Sequence, residues 1–506
     1  MRTVNGPTDR VVIVGAGLGG LACAIRLAAA GRTVTVLERS SGPGGRAGKL
    51  RLDGYTFDTG PTVLTAPELI ADLFASVGES LDDWLTLTRL DPAYRAHFPD
   101  GSTLDVIADP ARMTAEVARV CGPREADGYQ RFVDHVGYLW RLQRADFIDR
   151  NLDTPRDLVR VNLLRLVAAG GFGRLQSSVD RFFADPRTRR IFSFQALYAG
   201  VAPHSALALY AVISYLDAVA GVYFPAGGIH ALSRALAGVA TRHGVEIRYD
   251  APVQRVVVHN GRARGVVSSG EFVPADVVVL NPDLAAAHAL LPDPPPRRLR
   301  RLTYSPSCVV LHVGSTQAYR RIAHHNIHFG RSWRSTFDEV IRRGQLMSDP
   351  SLLVTNPSRS DGSLAPPGRH SYHVLAPVPN TIASTMDWSG PLAEEYRAEL
   401  IDTLERRGYV GFGAGVEVAR LVTPADWAAS GAAAGTPFSA AHTLRQTGPF
   451  RPTNLHPGYE NVVFVGAGTQ PGVGVPMVLI SGRLAAVRIT GFAGTGAVRP
   501  GRRGGR

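Results

Sequence analysis

Lysine is almost missing from this chain of 506 residues: Lys49 is the only one. Chemistry that needs an amine side chain therefore has a single candidate. Cysteine is scarce as well. Cys23, Cys121 and Cys308 are the three present, at spacings that match neither a disulfide framework nor a metal set. This excludes a disulfide scaffold and a thiolate zinc site, and it fits a reducing, cytoplasmic setting. Long clean apolar runs are missing too. The nearest, residues 207–224, contains Asp217 and Gly221 and stops at Pro225. Charge at a bilayer centre is costly, so the expectation is a buried helix followed by a strand, not a span. The opening residues are few and polar and lead straight into a strand, so no signal peptide is expected. His324, His325 and His328 cluster, but spacings of one and three without nearby carboxylates do not make a metal site. No acid/base pair stands out. His204, His442 and Asp217 are conceivable bases, each with a simpler structural reading.

What is present is a large, mostly globular composition. Hydrophobic residues make up 45%, enough for two or more domains around a sizeable core. The formal net charge is +12, carried almost wholly by arginine. The arginines are scattered and no nucleic-acid module is recognisable, so no nucleic-acid partner is expected. Local clusters at residues 297–301 and 499–506 read as a solvated loop and a disordered basic tail, or as contacts to anionic lipid.

Residues 11–38 organise the chain. An apolar strand, residues 11–14, runs into Gly15-Ala16-Gly17-Leu18-Gly19-Gly20. Small and apolar residues then recur at helical spacing to Ala30, and a second strand ends on Glu38. Strand, glycine turn, helix, strand and acid form the dinucleotide-binding unit. Gly15 permits the turn, Gly17 lets backbone approach a pyrophosphate, and Gly20 lets helix pack on strand. The helix N-terminus offers free N–H groups to phosphate, and Glu38 can accept ribose hydroxyls.

A second glycine segment follows, Gly42-Pro43-Gly44-Gly45-Arg46, and then Gly54 to Gly60-Pro61. This ordered series resembles the FAD-binding superfamily that includes amine oxidases and carotenoid desaturases. The resemblance implies that Gly45 and Arg46 lie along the FAD pyrophosphate and that Gly60, Pro61 and Thr62 approach the flavin. It extends the expected cofactor contacts to Leu18, Gly19 and Arg39, and to main chain at Val253.

Along the chain, a helix is expected over residues 66–77 and strands over 94–106. Asp109-Pro110 starts a helix, with Asp as cap and Pro in the first turn. Helical pattern then dominates to about residue 216. Residues 158–172, apolar with interspersed arginines, suit an amphipathic helix on a bilayer or an ordinary packed one. A helix at 229–243 precedes a strand at 245–249. Asn260-Gly261 marks a hairpin between 253–259 and 262–267, and residues 276–280 form a further buried strand. Strands at 307–314 and 371–378 and a helix at 391–407 suggest a mixed-sheet domain. The fold class expected is α/β with α+β: a Rossmann-like FAD domain assembled from segments 1–90, 217–291 and 423–492, interrupted by a helical block at 91–216 and a substrate domain at 292–422, with the tail from 493.

Residues 461–465 form another strand, followed by the glycine-rich segment Gly466 to Met477 and a helix over residues 478–489. Gly466, Gly468, Val475, Pro476 and Met477 would close over a cofactor whose other half is held near the N-terminus. With the GAGLGGL start, Phe224-Pro225-Ala226-Gly227-Gly228, His324-His325-Asn326-Ile327 and Met347-Ser348-Asp349-Pro350, this ending resembles the bacterial-type phytoene desaturases over about residues 11–487. Gln470 departs from that pattern, since many relatives carry histidine there. The resemblance implies stepwise desaturation of phytoene towards lycopene, by hydride transfer to non-covalent FAD and proton loss from the neighbouring carbon. Diapophytoene or a later carotenoid is the alternative substrate, and the terminal electron acceptor would be oxygen or a quinone. A hydrocarbon substrate implies peripheral contact with the inner face of the cell membrane. An amine oxidase would be expected to place a lysine near the flavin, and only Lys49 is available. A non-enzymatic lipid-binding protein, resembling the prenyl-protein escort proteins, would not need the intact glycine turns.

Overall fold

The computed structural model describes residues 1–491; the expected basic tail lies outside them. Five parallel strands form the central sheet, in the order Val462–Phe464, Val277–Leu280, Arg10–Val14, Thr33–Leu37, Glu246–Arg248. The three inner strands carry mostly valine, isoleucine and leucine because both faces are covered, one by helices and the other by Val256, Ala263 and Val266 of the hairpin 253–268 with Leu284 and Ala287. The helix Leu18–Ala29 packs against Val475–Thr490 on one side and His230–Arg242 on another. First and last segments of the chain thus share one layer. The hairpin 253–268 turns at Asn260 and Gly261, both at positive φ as its sequence demands. A third strand, Glu271–Pro274, extends it beyond what the sequence suggested.

A second, seven-stranded sheet runs in the order Val416–Val422, Ser307–Ser315, His370–Val378, Leu352–Thr355, His325–His328, Tyr94–His97, Thr103–Val106. It is mixed, because His325–His328 pairs parallel to Tyr94–His97 and its other pairs are antiparallel. Residues 94–106, placed by sequence with the helical block, are therefore the edge of this sheet. Residues 424–450 also pack with it: Trp427 Nε1–H donates to the Cys308 carbonyl at 2.9 Å, and Ala440 bridges to Tyr304. The return to the nucleotide sheet comes only near Leu455, which bridges Val463.

Helices from 110 to 220 stack on this sheet around an aromatic cluster of Tyr129, Phe132, Phe183 and Phe192. The stretch 207–224 is not one helix. It is a 3₁₀ turn, Ala208–Tyr210, one α-turn, Ala211–Ser214, and a π-helical turn, Tyr215–Ala220, ending in the strand Tyr223–Pro225. Gly221 at positive φ ends the helical part, and Asp217 sits inside the π-turn. Among the described residues no helix is long and apolar enough to cross a membrane.

The three histidines at 324–328 are buried on and beside the strand His325–His328. Their partners are Ser360, Thr355 and Tyr409, and no metal-holding group exists among the described residues.

Candidate active site

One continuous cavity of about 990 Å³ joins the two sheets, the upper end of the roughly 300–1,000 Å³ usual for ligand sites. Its two arms differ in chemistry. The first is lined by the glycine segments of the nucleotide domain. The second is walled by Trp140, Leu166, Leu209, Ile213, Leu353 and Phe438 and is almost wholly apolar.

In the first arm the sequence-predicted residues converge. Gly15, Gly17, Leu18, Gly19, Glu38, Arg39, Gly45, Arg46, Gly60, Pro61, Thr62, Val253, Gly466, Gly468, Val475, Pro476 and Met477 all line it. Gly20 does not. It lies behind the turn, where a side chain would overlap the Gly15 carbonyl, so its part is the close helix-to-strand packing. Both helices that begin here, at Leu18 and Val475, lack a capping side chain. Their first N–H groups are left for an anion, and both N-termini open on the same space. Glu38 ends its strand inside the arm, where Oε2 accepts from Ala16 N–H at 2.7 Å and Oε1 from Ser40 N–H at 2.9 Å. Arg46, which lines the arm, is steadied by Asp283 at 2.8 Å.

Two residues that sequence reasoning missed hold this arm together. Asn281 donates from Nδ2 to the Gly15 carbonyl at 3.2 Å and packs so close that a Cβ at Gly17 would meet it at 2.7 Å. The sequence pointed only to the buried strand that precedes it, residues 276–280. Arg451 is fully buried and has no carboxylate partner among the described residues. Its guanidinium donates to the Thr469 carbonyl at 3.1 Å, to Ala467 at 2.6 Å and to Ala440 at 3.3 Å. A lone charged residue in a loop of prolines gave no local signal of this. Gln470 is likewise a brace. It donates to the Leu152 and Gly448 carbonyls and accepts from Leu152 N–H, so the departure from histidine supplies a clamp across the cavity wall.

This arm fits FAD. Uncapped helix ends and Arg46 suit the pyrophosphate, Glu38 the ribose, and the Gly60–Thr62 and Gly466–Met477 segments bring bare backbone to the isoalloxazine end. Gly60 gives the sharpest test, because a methyl there would overlap the Arg46 carbonyl. Gly60→Ala is expected to lower flavin occupancy at least about tenfold, roughly 1.4 kcal/mol, read as the flavin-to-protein absorbance ratio after gel filtration. An unchanged ratio would show that the Arg46 segment yields without cost.

Of the conceivable bases, His204 is outside the cavity and pairs with Asp338 at 3.3 Å. His442 lines the cavity, but burial pushes its pKa well below the ordinary value, and its Nε2 lies 3.4 Å from the Val473 N–H that it accepts. Asp217 lines the apolar arm, 4% exposed, accepting from the Tyr94 hydroxyl at 3.2 Å. Lys49 lies on the hairpin 49–58, outside the cavity lining, so no amine of this chain reaches the site.

Comparison with known proteins agrees with this geometry. The model of the flavin containing amine oxidoreductase family matches residues 18–490. A phytoene dehydrogenase of Streptomyces griseus is 55% identical over 97% of both chains. A zeta-carotene-forming phytoene desaturase of Myxococcus xanthus is 38% identical over 96% of this chain and 94% of its own. Among solved structures, an oxidoreductase from Methanosarcina mazei superposes with a TM-score of 0.61 at 18% identity, covering 94% of this chain and 99% of that one. The chain belongs to the flavin-containing amine oxidoreductases and, among them, to the phytoene desaturases.

Proposed function

We propose that this protein is an FAD-dependent carotenoid desaturase, acting on phytoene in successive steps towards lycopene. The observation that carries the reading is one continuous cavity in which an arm lined by the glycine segments opens directly on an apolar one. Bound FAD supplies the two-electron acceptor, in turn reoxidised by oxygen or a quinone. The chain's own residues bind and exclude. Glu38, Arg46 and the two helix N-termini hold the cofactor, while Leu209, Ile213, Leu353 and Phe438 enclose an acyclic polyene and keep water from the reacting carbons. The lack of an amine in the cavity speaks against amine oxidation. Related desaturases that form 4,4′-diaponeurosporene make diapophytoene the alternative substrate.

The same cavity supports a membrane-facing mouth. The helix Val161–Ala168 turns Leu163 and Leu166 towards the cavity and leaves Val161 and Leu164 64% and 71% exposed. Val159, Val167, Leu444 and Phe450 add exposed apolar surface around it, and Arg156, Arg160, Arg165 and Arg445 supply positive charge. Exposed apolar side chains beside basic ones suit an anionic bilayer surface. The protein is expected to float with anionic liposomes, and Val161→Asp/Leu164→Asp to stay at the bottom of the gradient with its flavin intact. Flotation of that variant at the wild-type level would place the contact elsewhere.

The test of function is pigment analysis in a host that accumulates phytoene, with and without this chain. Red lycopene or a shorter conjugated intermediate is the expected product. Unchanged phytoene beside soluble, flavin-loaded protein would reject phytoene and turn the assay to diapophytoene.

A further inference from the structure

Among the described residues, Asp217 is the one acid on the wall of the apolar arm. Asp217 sits in the π-helical turn Tyr215–Ala220, a backbone irregularity of the kind that recurs at functional sites. It is buried among Leu209, Val212, Leu216 and Tyr198 on the wall that a hydrocarbon would touch. No arginine or histidine pairs with it among the described residues. Its neighbours are hydroxyls: Tyr94 donates to Oδ2 at 3.2 Å, and Tyr198 stands on the same wall, its own pKa pushed up by burial and then by the Asp217 charge. Behind Tyr94 lies the His325 ring, 5.5 Å between centroids. Burial is expensive for an unpaired carboxylate, and a structural role would be met more cheaply by asparagine or leucine.

The turn is also held close to the cofactor arm. Six residues on, Tyr223 N–H donates to the Leu64 carbonyl at 2.8 Å, which ties this stretch to the segment that follows Gly60-Pro61-Thr62.

We propose that Asp217 is the catalytic proton acceptor of the desaturation, with Tyr94 as its positioning residue. This rests on the desaturase reading above. One carbon of the substrate loses hydrogen with its electron pair, and FAD is the oxidant that accepts it. The adjacent carbon then loses a proton to Asp217 Oδ. The electron pair of that C–H bond becomes the new C=C bond, and the carboxylate becomes a carboxylic acid. A carboxylate in an apolar wall also attracts the positive charge that develops on the polyene, an interaction that water would weaken. Desolvation raises the Asp217 pKa to about 7, with the Tyr94 hydrogen bond pulling the other way. The group is thus matched to proton transfer near neutrality.

The experiment uses flavin-loaded protein with phytoene in liposomes, and follows flavin bleaching without oxygen across pH. Wild type should bleach faster as pH rises, reaching a plateau above about 7 as Asp217 ionises. Asp217→Asn should keep its flavin and its binding of carotenoid, yet bleach about 100-fold more slowly and without the pH limb. Asp217→Glu should recover part of the rate. Tyr94→Phe, which removes the hydrogen bond that favours the ionised form, should move the limb to higher pH. An infrared carboxyl band that titrates near pH 7 in the resting protein and vanishes in Asp217→Asn gives a readout independent of turnover. Asp217→Asn bleaching within threefold of wild type, or the band persisting in it, would overturn the assignment. If Asp217→Asn does not hold flavin, an unmoved limb in Tyr94→Phe overturns it instead. A wild type that bleaches with no acyclic carotenoid would sink the desaturase reading itself, whatever Asp217 does.

Discussion

Replacing Arg451 by methionine is expected to strip the protein of its flavin. The guanidinium binds the Ala467 and Thr469 carbonyls on one side and Ala440 on the other. It therefore fixes the loop between the strand Val462–Phe464 and the helix Val475–Thr490 from inside the molecule. Burial is unfavourable enough to its charge to draw its pKa down to about 10, yet it stays cationic at neutral pH and its carbonyl partners share the load. Methionine fills much of the volume but donates nothing, and each orphaned buried carbonyl costs about 1–3 kcal/mol. The glycine loop relaxes, and the backbone amides that should meet the cofactor lose their aim. Flavin affinity is expected to fall at least about 100-fold, roughly 2.7 kcal/mol, by titration of apoprotein with FAD. Arg451→Lys should rescue little, because a single ammonium cannot reach both sides of the loop. Near-normal affinity in both variants would mean that the loop is held by its own turns.

Acid is the second large lever. A row of side chains crosses the seven-stranded sheet on one face, His312 beside His373, then Thr355, then His325. Burial holds His324 near 3 and His373 near 4, and holds His312, His325 and His328 well below the ordinary histidine value. Neither ring nitrogen of His312 has a hydrogen-bond partner. These groups are neutral in the fold and titrate near 6.5 when unfolded. Below about pH 6.5 the unfolded chain gains protons that the fold refuses, so stability declines from there to about pH 4. Each group contributes at most about 1.4 kcal/mol per pH unit. Half of that from five groups would consume a typical stability of ~5–15 kcal/mol within two or three units. Asp58 and Asp217, raised by burial to about 6 and about 7, act in the opposite sense, but His288, His442 and His456, also lowered by burial, join the five and outnumber them. The urea midpoint should be level from pH 7 to 8 and collapse between about 6 and 4.5. A midpoint that stays level to pH 4.5 would mean that the sheet accepts the protons in place.

The parts of the site legible in sequence are those whose chemistry is local. Gly15 to Glu38 and Gly466 to Met477 each encode a turn and a helix start within a few residues, Gly44 to Arg46 encodes a turn, and each contributes to the cavity lining. What stayed hidden acts at long separation. Asn281 braces a glycine turn 266 residues away, and Gln470 grips Leu152 across 318. Strand neighbours were hidden for the same reason. Nothing near Tyr94 says that it will lie beside His325, so the strands at 94–106 were read with the helices that follow them. The run at 207–224 is the buried helix and strand that its composition suggests, but the passage of the helical part from a 3₁₀ turn through an α-turn to a π-turn is not encoded in its apolar pattern.

The nucleotide sheet has one further consequence, and it concerns time. Its first two strands leave the ribosome with residues 10–37, but the fifth, Val462–Phe464, and the covering helix Val475–Thr490 come last. Val4 even waits for the carbonyl of Arg488, its partner at 2.8 Å. At ~5–20 residues per second, the face of the helix Leu18–Ala29 that Val475–Thr490 covers waits roughly 20 to 90 seconds for it. The nascent chain therefore carries a sticky, half-built nucleotide site through nearly the whole of its synthesis. A stop codon anywhere before residue 475 would release it in that condition, with chaperones and proteases as its only takers.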